Sequence, residues 1–259
     1  MVADIALVLT GLLVGFLVGL TSIGTGLVGT PTLILLGVPP AAAVSAEIIQ
    51  GTVMKAVAVI KHWRRGRVFH SLALKMVALG IPGAAAGSWL SSRLDAAALS
   101  QAVALILIGV SLLVVLEAWA SRRQGPCRET FRPLLKNRAL NDALLVLLGG
   151  CVGFLSGLTS IGSGTFIVLL FLLFLRIPTG CSVGTATSAG LLILSAAALS
   201  HASLGSVDLS LTAKLLAGSL PGVWLGTHLL SRAPAHHIRI AIAALTLAGG
   251  LRILTGVHL

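Results

Sequence analysis

The chain has 259 residues, of which 56% are hydrophobic and only 10% charged, whereas soluble domains carry about 25% charged residues. That composition excludes a water-soluble globule and points to an all-α integral membrane protein. The net charge of +11 would suit nucleic acid, but ten of the eighteen Lys and Arg fall in "KHWRRGR" (61–67) and "SRRQGPCRETFRPLLKNR" (121–138). The positive-inside rule accounts for such clusters, and without aromatic interleaving no nucleic-acid partner is implied.

The first apolar run, 5–20, lacks a basic n-region and a small-residue cleavage site, so it reads as a retained membrane segment rather than a removable leader. It ends in "TSIGTG" (21–26), and a short apolar segment, 27–36, follows. Further apolar stretches at 71–90, 98–118, 179–200, 209–230 and 238–256 approach the ~20 residues that cross a ~30 Å hydrocarbon core. The three cysteines, Cys127, Cys151 and Cys181, form no metal-ligand spacing. No metal and no cofactor is expected.

"GFLVGLTSIGTG" (15–26) returns as "GFLSGLTSIGSG" (153–164), matching at ten of twelve positions. At an offset of 139, His62, Gly66, Val68, Leu72 and Lys75 recur as His201, Gly205, Val207, Leu211 and Lys214. Pro82, Gly83, Gly87 and Ser92-Arg93 recur as Pro221, Gly222, Gly226 and Ser231-Arg232. One transmembrane domain over 1–259 is therefore expected, with repeat one at 1–119, a basic linker at 120–139 and repeat two at 140–259.

The loops predict that the two repeats lie upside down relative to each other. "KHWRRGR" and the linker carry the cytoplasmic basic bias. The counterpart of "KHWRRGR" in repeat two, "HASLGSVD" (201–208), has no Lys or Arg, while "SRAPAHHIR" (231–239) carries Arg232 and Arg239. Inversion needs an odd number of crossings per repeat. A broken or re-entrant helix pair around each glycine turn satisfies this, for about eight to ten membrane segments in all.

Backbone freed from helical bonding at membrane depth survives only where it lines a polar cavity or is buried in protein. The half-helix after each turn starts with unpaired N–H groups and the positive end of its dipole, both favourable to an anion. The candidate substrate site is therefore Thr21, Ser22, Gly24, Thr25 and Gly26 with Thr159, Ser160, Gly162, Ser163 and Gly164, the hydroxyls adding donors beside the backbone. Thr185 and Thr187 in "VGTATS" (183–188) either face the same cavity or bond the carbonyls one turn back. Gly11, Gly15, Gly19, Gly153 and Gly157 read as helix-packing positions.

Charged residues inside apolar runs call for a role. Lys75 and Lys214 either snorkel to the interface or attract anions at the two mouths. Glu47, Gln50 and Lys55 are polar where repeat two has Ala186, Ala189 and Leu194. Glu47 is a candidate coupling group carrying a proton, or else a structural partner of a neighbouring helix. His62 and His201 read as capping or interfacial residues.

The repeated glycine turn, the "GRV" and "GSV" after the second helix, and "IPGAAAG" with "LPGVWLG" together resemble the sulfite exporter TauE/SafE family of membrane anion transporters. The resemblance spans essentially the whole chain. It implies transport of small sulfur-containing anions such as sulfite, organosulfonates or related carboxylates. It does not imply the cysteine-dependent thiosulfate-uptake branch, since Cys151 and Cys181 align with Leu13 and Ala42.

The expected function is thus a secondary transporter in the inner membrane, exporting a small anion by alternating access, with the bilayer as its other partner and a homo-oligomer compatible with the sequence. A passive anion channel or a membrane assembly factor is the alternative. An enzyme is not expected, because no HExxH, His/Cys cluster or paired intramembrane carboxylates occur, and no GxxxxGK[ST] loop supplies ATP.

Overall fold

The computed structural model describes residues 2–21, 25–120, 137–173, 175, 177–229 and 235–255. All regular structure among them is helical: α1 (Val2–Thr21), α2 (Gly29–Leu35), α3 (Pro40–Arg64), α4 (His70–Arg93), α5 (Ala96–Ala120), α6 (Arg138–Thr159), α7 (Thr165–Leu173), α8 (Thr179–Ser203), α9 (Leu209–Leu229) and α10 (Ala235–Leu254). A 3-10 turn, Thr25–Leu27, precedes α2. Among the described residues, five stretches are long and apolar enough to cross a bilayer: Pro40–Arg64, His70–Arg93, Ala96–Leu116, Ala139–Thr159 and Gly180–Ser203. Shorter apolar helices cover Asp4–Val18, Thr25–Leu35 and Ile240–Leu254.

Helix starts follow local chemistry. Pro39 and Pro178 precede α3 and α8, where the missing N–H costs nothing because a first-turn amide has no helical partner. Side chains of Asp95, Asn137 and Asp208 accept from the amides of Ala98, Ala139 and Leu211, each at 3.0 Å, and so cap α5, α6 and α9. Past the ends of α3 and α8, Gly66 (φ 60°) and Gly205 (φ 70°) take the left-handed conformation at equivalent positions, which explains why both halves keep glycine there.

Two intimate helix pairs form the frame. A Cβ placed on Gly149, Gly153 or Gly157 of α6 would lie 2.1–2.2 Å from the carbonyl oxygens of Met76, Gly80 and Ala84 on α4. Likewise a Cβ on Gly11 or Gly15 of α1 would meet the carbonyls of Leu215 and Ser219 on α9 at 2.3 and 2.2 Å. Backbones this close gain dispersion and Cα–H···O contacts that replace the hydrophobic drive lost in lipid. Residue numbers rise together across both pairs, so α4 runs parallel to α6 and α1 to α9. Each first helix of a half therefore packs on a helix of the other half.

The remaining cross-half contacts run the opposite way. Gly51 faces Leu194, Gly190 faces Lys55 and Gly184 faces Arg67, so α3 and α8 are antiparallel. Gly250 packs on Ala104 and Leu107 while Thr246 bonds Ser111 at 2.8 Å, so α5 and α10 are antiparallel as well. Large apolar side chains such as Leu74 (64%), Leu105 (62%) and Leu199 (73%) are exposed on the outer surface, as expected where lipid rather than water is the solvent.

Lys75 and Lys214 are not free snorkellers. Lys75 on α4 pairs with Asp142 on α6 at 2.5 Å, and Lys214 on α9 pairs with Asp4 on α1. Asp4 and Asp142 recur at the offset of the glycine turns, 138 residues, so the duplicated lysine has a duplicated carboxylate. The pairs are partly exposed and lie near the starts of α1 and α6, where they fasten the same two helix pairs that the glycines bring together.

Candidate functional site

The two glycine turns meet. Gly26, in the 3-10 turn, packs on Ser160 so tightly that a Cβ would lie 2.5 Å from the Ser160 carbonyl oxygen and 2.6 Å from its hydroxyl. The Ser160 hydroxyl lies 2.6 Å from that of Thr30, a buried hydrogen bond joining the start of α2 to the end of α6. Ser160 is the left-handed cap of α6, with φ 63°. Gly162 follows with φ 101°, and its Cβ position is filled by the Phe166 ring. These conformations turn the chain from α6 into α7 at depth.

Thr25, Thr159, Ser160 and Ser163 are all buried. The Thr159 hydroxyl donates to the Leu155 carbonyl at 2.8 Å and accepts weakly from the Ile161 amide. Around the second turn, the amides of Phe166 and Val168 bond back to the carbonyls of Gly162 and Gly164, at 3.1 and 2.9 Å. Part of the leading turn of α7 is thus closed on itself. Ser22 and Gly24 lie outside the described residues, as does the side chain of Thr21.

Thr185 and Thr187 each make one bond within the helical frame. The Thr185 hydroxyl accepts from the Phe69 amide at 3.0 Å, holding the loop after α3, and Thr187 donates to the Val183 carbonyl at 2.7 Å. His201 also has a structural role: its Nε2 donates to the Gly157 carbonyl at 3.0 Å and its Nδ1 lies 2.9 Å from the Ser206 hydroxyl.

Helix α3 carries the charged groups of the interior. The Glu47 side chain lies against Gly29, the first residue of α2, where a Cβ would stand 1.9 Å from its Oε1. Glu47 is 1% exposed, and neither carboxyl oxygen has a hydrogen-bond partner among the described residues. Thr25 is near enough to influence the carboxyl but falls short of hydrogen-bond geometry. Both polar atoms of Gln50 are buried and likewise have no partner among the described residues. One turn beyond Glu47, Gly51 leaves room for the Thr25 hydroxyl, whose Oγ1 lies 2.8 Å from the position of a Cβ. Another turn on, Nζ of Lys55 reaches the second glycine turn, 3.3 Å from the Cβ position of Gly164 and 3.2 Å from that of Gly190. Glu47, Gly51 and Lys55, spaced i, i+4, i+8, form one stripe of α3 that runs from the first turn to the second.

The sequence marks Lys55 as intramembrane but does not assign it to the site. The missed signal is its spacing from Glu47, together with the glycines Gly51 and Gly190 at the repeat offset. A groove of about 490 Å³ lies between α2 and α10, lined by Leu27, Pro31, Leu35, Leu245, Gly249 and Arg252 among others. Its largely apolar walls do not replace the water shell of an anion.

Helices that pack through glycines, expose leucine outward and bury charge at a broken centre mark a multi-pass membrane protein. The family model for the sulfite exporter TauE/SafE matches residues 7–253. The chain belongs to that family, which is one of transporters and not of enzymes. It is 33% identical over 258 residues to the Bacillus subtilis "probable membrane transporter protein YjnA", covering 97% of this chain and all of that one. A Xylella fastidiosa "probable membrane transporter protein" is 27% identical over 86% of this chain and 83% of its own length. A second B. subtilis protein, YdhB, with the same description, is 23% identical over 98% of this chain and all of its own. No solved structure matches.

Proposed function

We propose that the protein is a secondary transporter that exports a small oxyanion, sulfite or an organosulfonate first among the candidates, across the inner membrane by alternating access around the paired turns. The observation that carries the reading is the meeting of the turns at Gly26 and Ser160, with Glu47 and Lys55 brought to them by one helix. Thr25, Ser160, Ser163 and the backbone at Gly26 and Gly164 then serve the substrate, and Glu47 serves coupling.

The two halves, 1–119 and 140–259, act as inverted repeats in this reading. Inversion about an axis in the membrane plane makes equivalent helices antiparallel, whereas a simple tandem repeat would make them parallel. The antiparallel runs of α3 with α8 and of α5 with α10 support inversion. Labelling with a membrane-impermeant thiol reagent tests it: a cysteine at Arg65 is protected from outside and one at Ser206 is modified, and the reverse pattern overturns the inverted arrangement.

Transport itself is tested by counterflow in vesicles. Trapped unlabelled sulfite drives uptake of labelled sulfite through an alternating-access site, whereas a passive channel gives only equilibration. Equilibration without overshoot replaces the carrier reading with the channel.

A further inference from the structure

We propose that the Lys55 ammonium is the charge that holds the transported anion at the second turn, and that the site takes an anion with one charged oxyanion headgroup rather than two. The proposal rests on the transport reading above and names the ligand chemistry of that site.

A lysine held inside a membrane protein needs a counter-charge, because an unpaired cation away from water costs several kcal/mol. Lys75 and Lys214 have theirs in Asp142 and Asp4. Lys55 has no ion-pair or hydrogen-bond partner among the described residues. The acidic residue on its own helix is committed to the other turn: Glu47 lies against Gly29, and eight residues at ~1.5 Å each place it ~12 Å away along the axis. No described carboxylate fills that role, and the proposal gives it to an anion from outside the chain.

The surroundings of Nζ are built to leave it accessible. Gly164 and Gly190 both lack the side chain that would cover it, and the neighbouring Ser163 is buried at the same turn. Two leading amides of α7, those of Phe166 and Val168, are already bonded, and the ammonium adds a full positive charge at the same turn. In the other half Leu194 stands where Lys55 stands, so the site has one such cation and not a symmetric pair. At the first turn a second anionic group would meet the Glu47 carboxyl already seated on Gly29. One headgroup is matched there and a second is not.

The test uses the full-length protein in detergent, with methanesulfonate as the single-headgroup probe and ethane-1,2-disulfonate as the two-headgroup probe, binding being read by titration calorimetry and thermal shift. Wild type binds methanesulfonate and binds the disulfonate at least about tenfold more weakly. Lys55→Gln weakens methanesulfonate by about 30-fold or more, as removal of one member of a buried charge pair does. Lys55→Arg recovers most of it, and Gly164→Ala, which puts a methyl beside Nζ, weakens binding while Lys55 is retained. Thermal unfolding without ligand verifies that each variant is folded. Equal binding of methanesulfonate by wild type and by folded Lys55→Gln and Gly164→Ala overturns the assignment and leaves anion transport standing. Equal affinity for the two probes overturns the single-headgroup rule. Absence of any anion binding by wild type, with sulfite included, overturns the transport reading along with it.

Discussion

The helix pairs of the frame and the central pair α3 and α8 differ in what each half has kept. Across α1 with α9 and α4 with α6, the contacts correspond position by position: glycine on carbonyl, proline followed by glycine, lysine on aspartate. Across α3 and α8 the glycines Gly51 and Gly190 correspond, but Glu47, Gln50 and Lys55 face Ala186, Ala189 and Leu194 in the alignment. Close packing is a geometric demand that both halves share, so the same small residues answer it twice. The single central ligand proposed above would impose no such demand, and charge would be free to gather on one helix.

The comparison breaks most visibly if a frame glycine tolerates a side chain. Gly153→Ala would push a methyl to 2.1 Å from the Gly80 carbonyl oxygen, and because backbone cannot swing aside the loss of stability is about 2–3 kcal/mol, with reduced yield of folded protein. Gly109→Ala on α5 meets nothing within 4 Å and is neutral or stabilising by up to ~1 kcal/mol. Thermal melts in one detergent compare the two, and equal stability would refute the close-packed frame.

The central helix is probed next. If Glu47 couples transport to protons, Glu47→Gln abolishes uphill transport while sulfite exchange continues. Loss of folding yield together with exchange would instead make Glu47 a structural residue. Gly162→Val is unsuited to probing the site, since the φ of 101° and the Phe166 ring make it a folding mutation.

A smaller effect is expected at the junction of the turns. Ser160→Ala removes the bond to Thr30 and leaves a buried hydroxyl without that partner, costing about 1–3 kcal/mol of stability. Denaturation of Ser160→Ala beside the double variant with Thr30→Val measures it, the double being less harmful than the sum of the singles. The smallest effect belongs to Lys75 with Asp142, whose side chains are 31% and 45% exposed. A double-mutant cycle on their alanine variants returns about 0.2–1 kcal/mol.

Much of the frame is legible in the sequence. Runs of apolar residues gave α4, α5, α8, α9 and α10 to within a few residues, and the repeated "G...G" spacing gave the packing role of Gly15, Gly153 and Gly157. The Lys–Asp pairs were legible in principle, since Asp4 and Asp142 share the repeat offset, but a lysine near a helix end satisfies itself equally well by snorkelling. The central contacts were less legible. Thr30 has Val168 as its counterpart, so the repeat gives no hint that it bonds Ser160. The reach of Lys55 to the opposite turn depends on how α3 is rotated against α8, which a one-dimensional pattern leaves open. Thr185 and Thr187 illustrate the converse: hydroxyls in a promising string were used by a loop amide and by their own helix.

The crosswise packing of the first helices sets a schedule for biogenesis. Gly11 rests on Leu215, so α1 emerges 215 − 11 = 204 residues before its docking surface is made. At about 5–20 residues per second of synthesis, that is a wait of roughly 10–40 s. Throughout it a helix with an aspartate near its start sits in the bilayer without its lysine. Helix α1 therefore has to be sheltered by lipid or by the insertion machinery until α9 has been made.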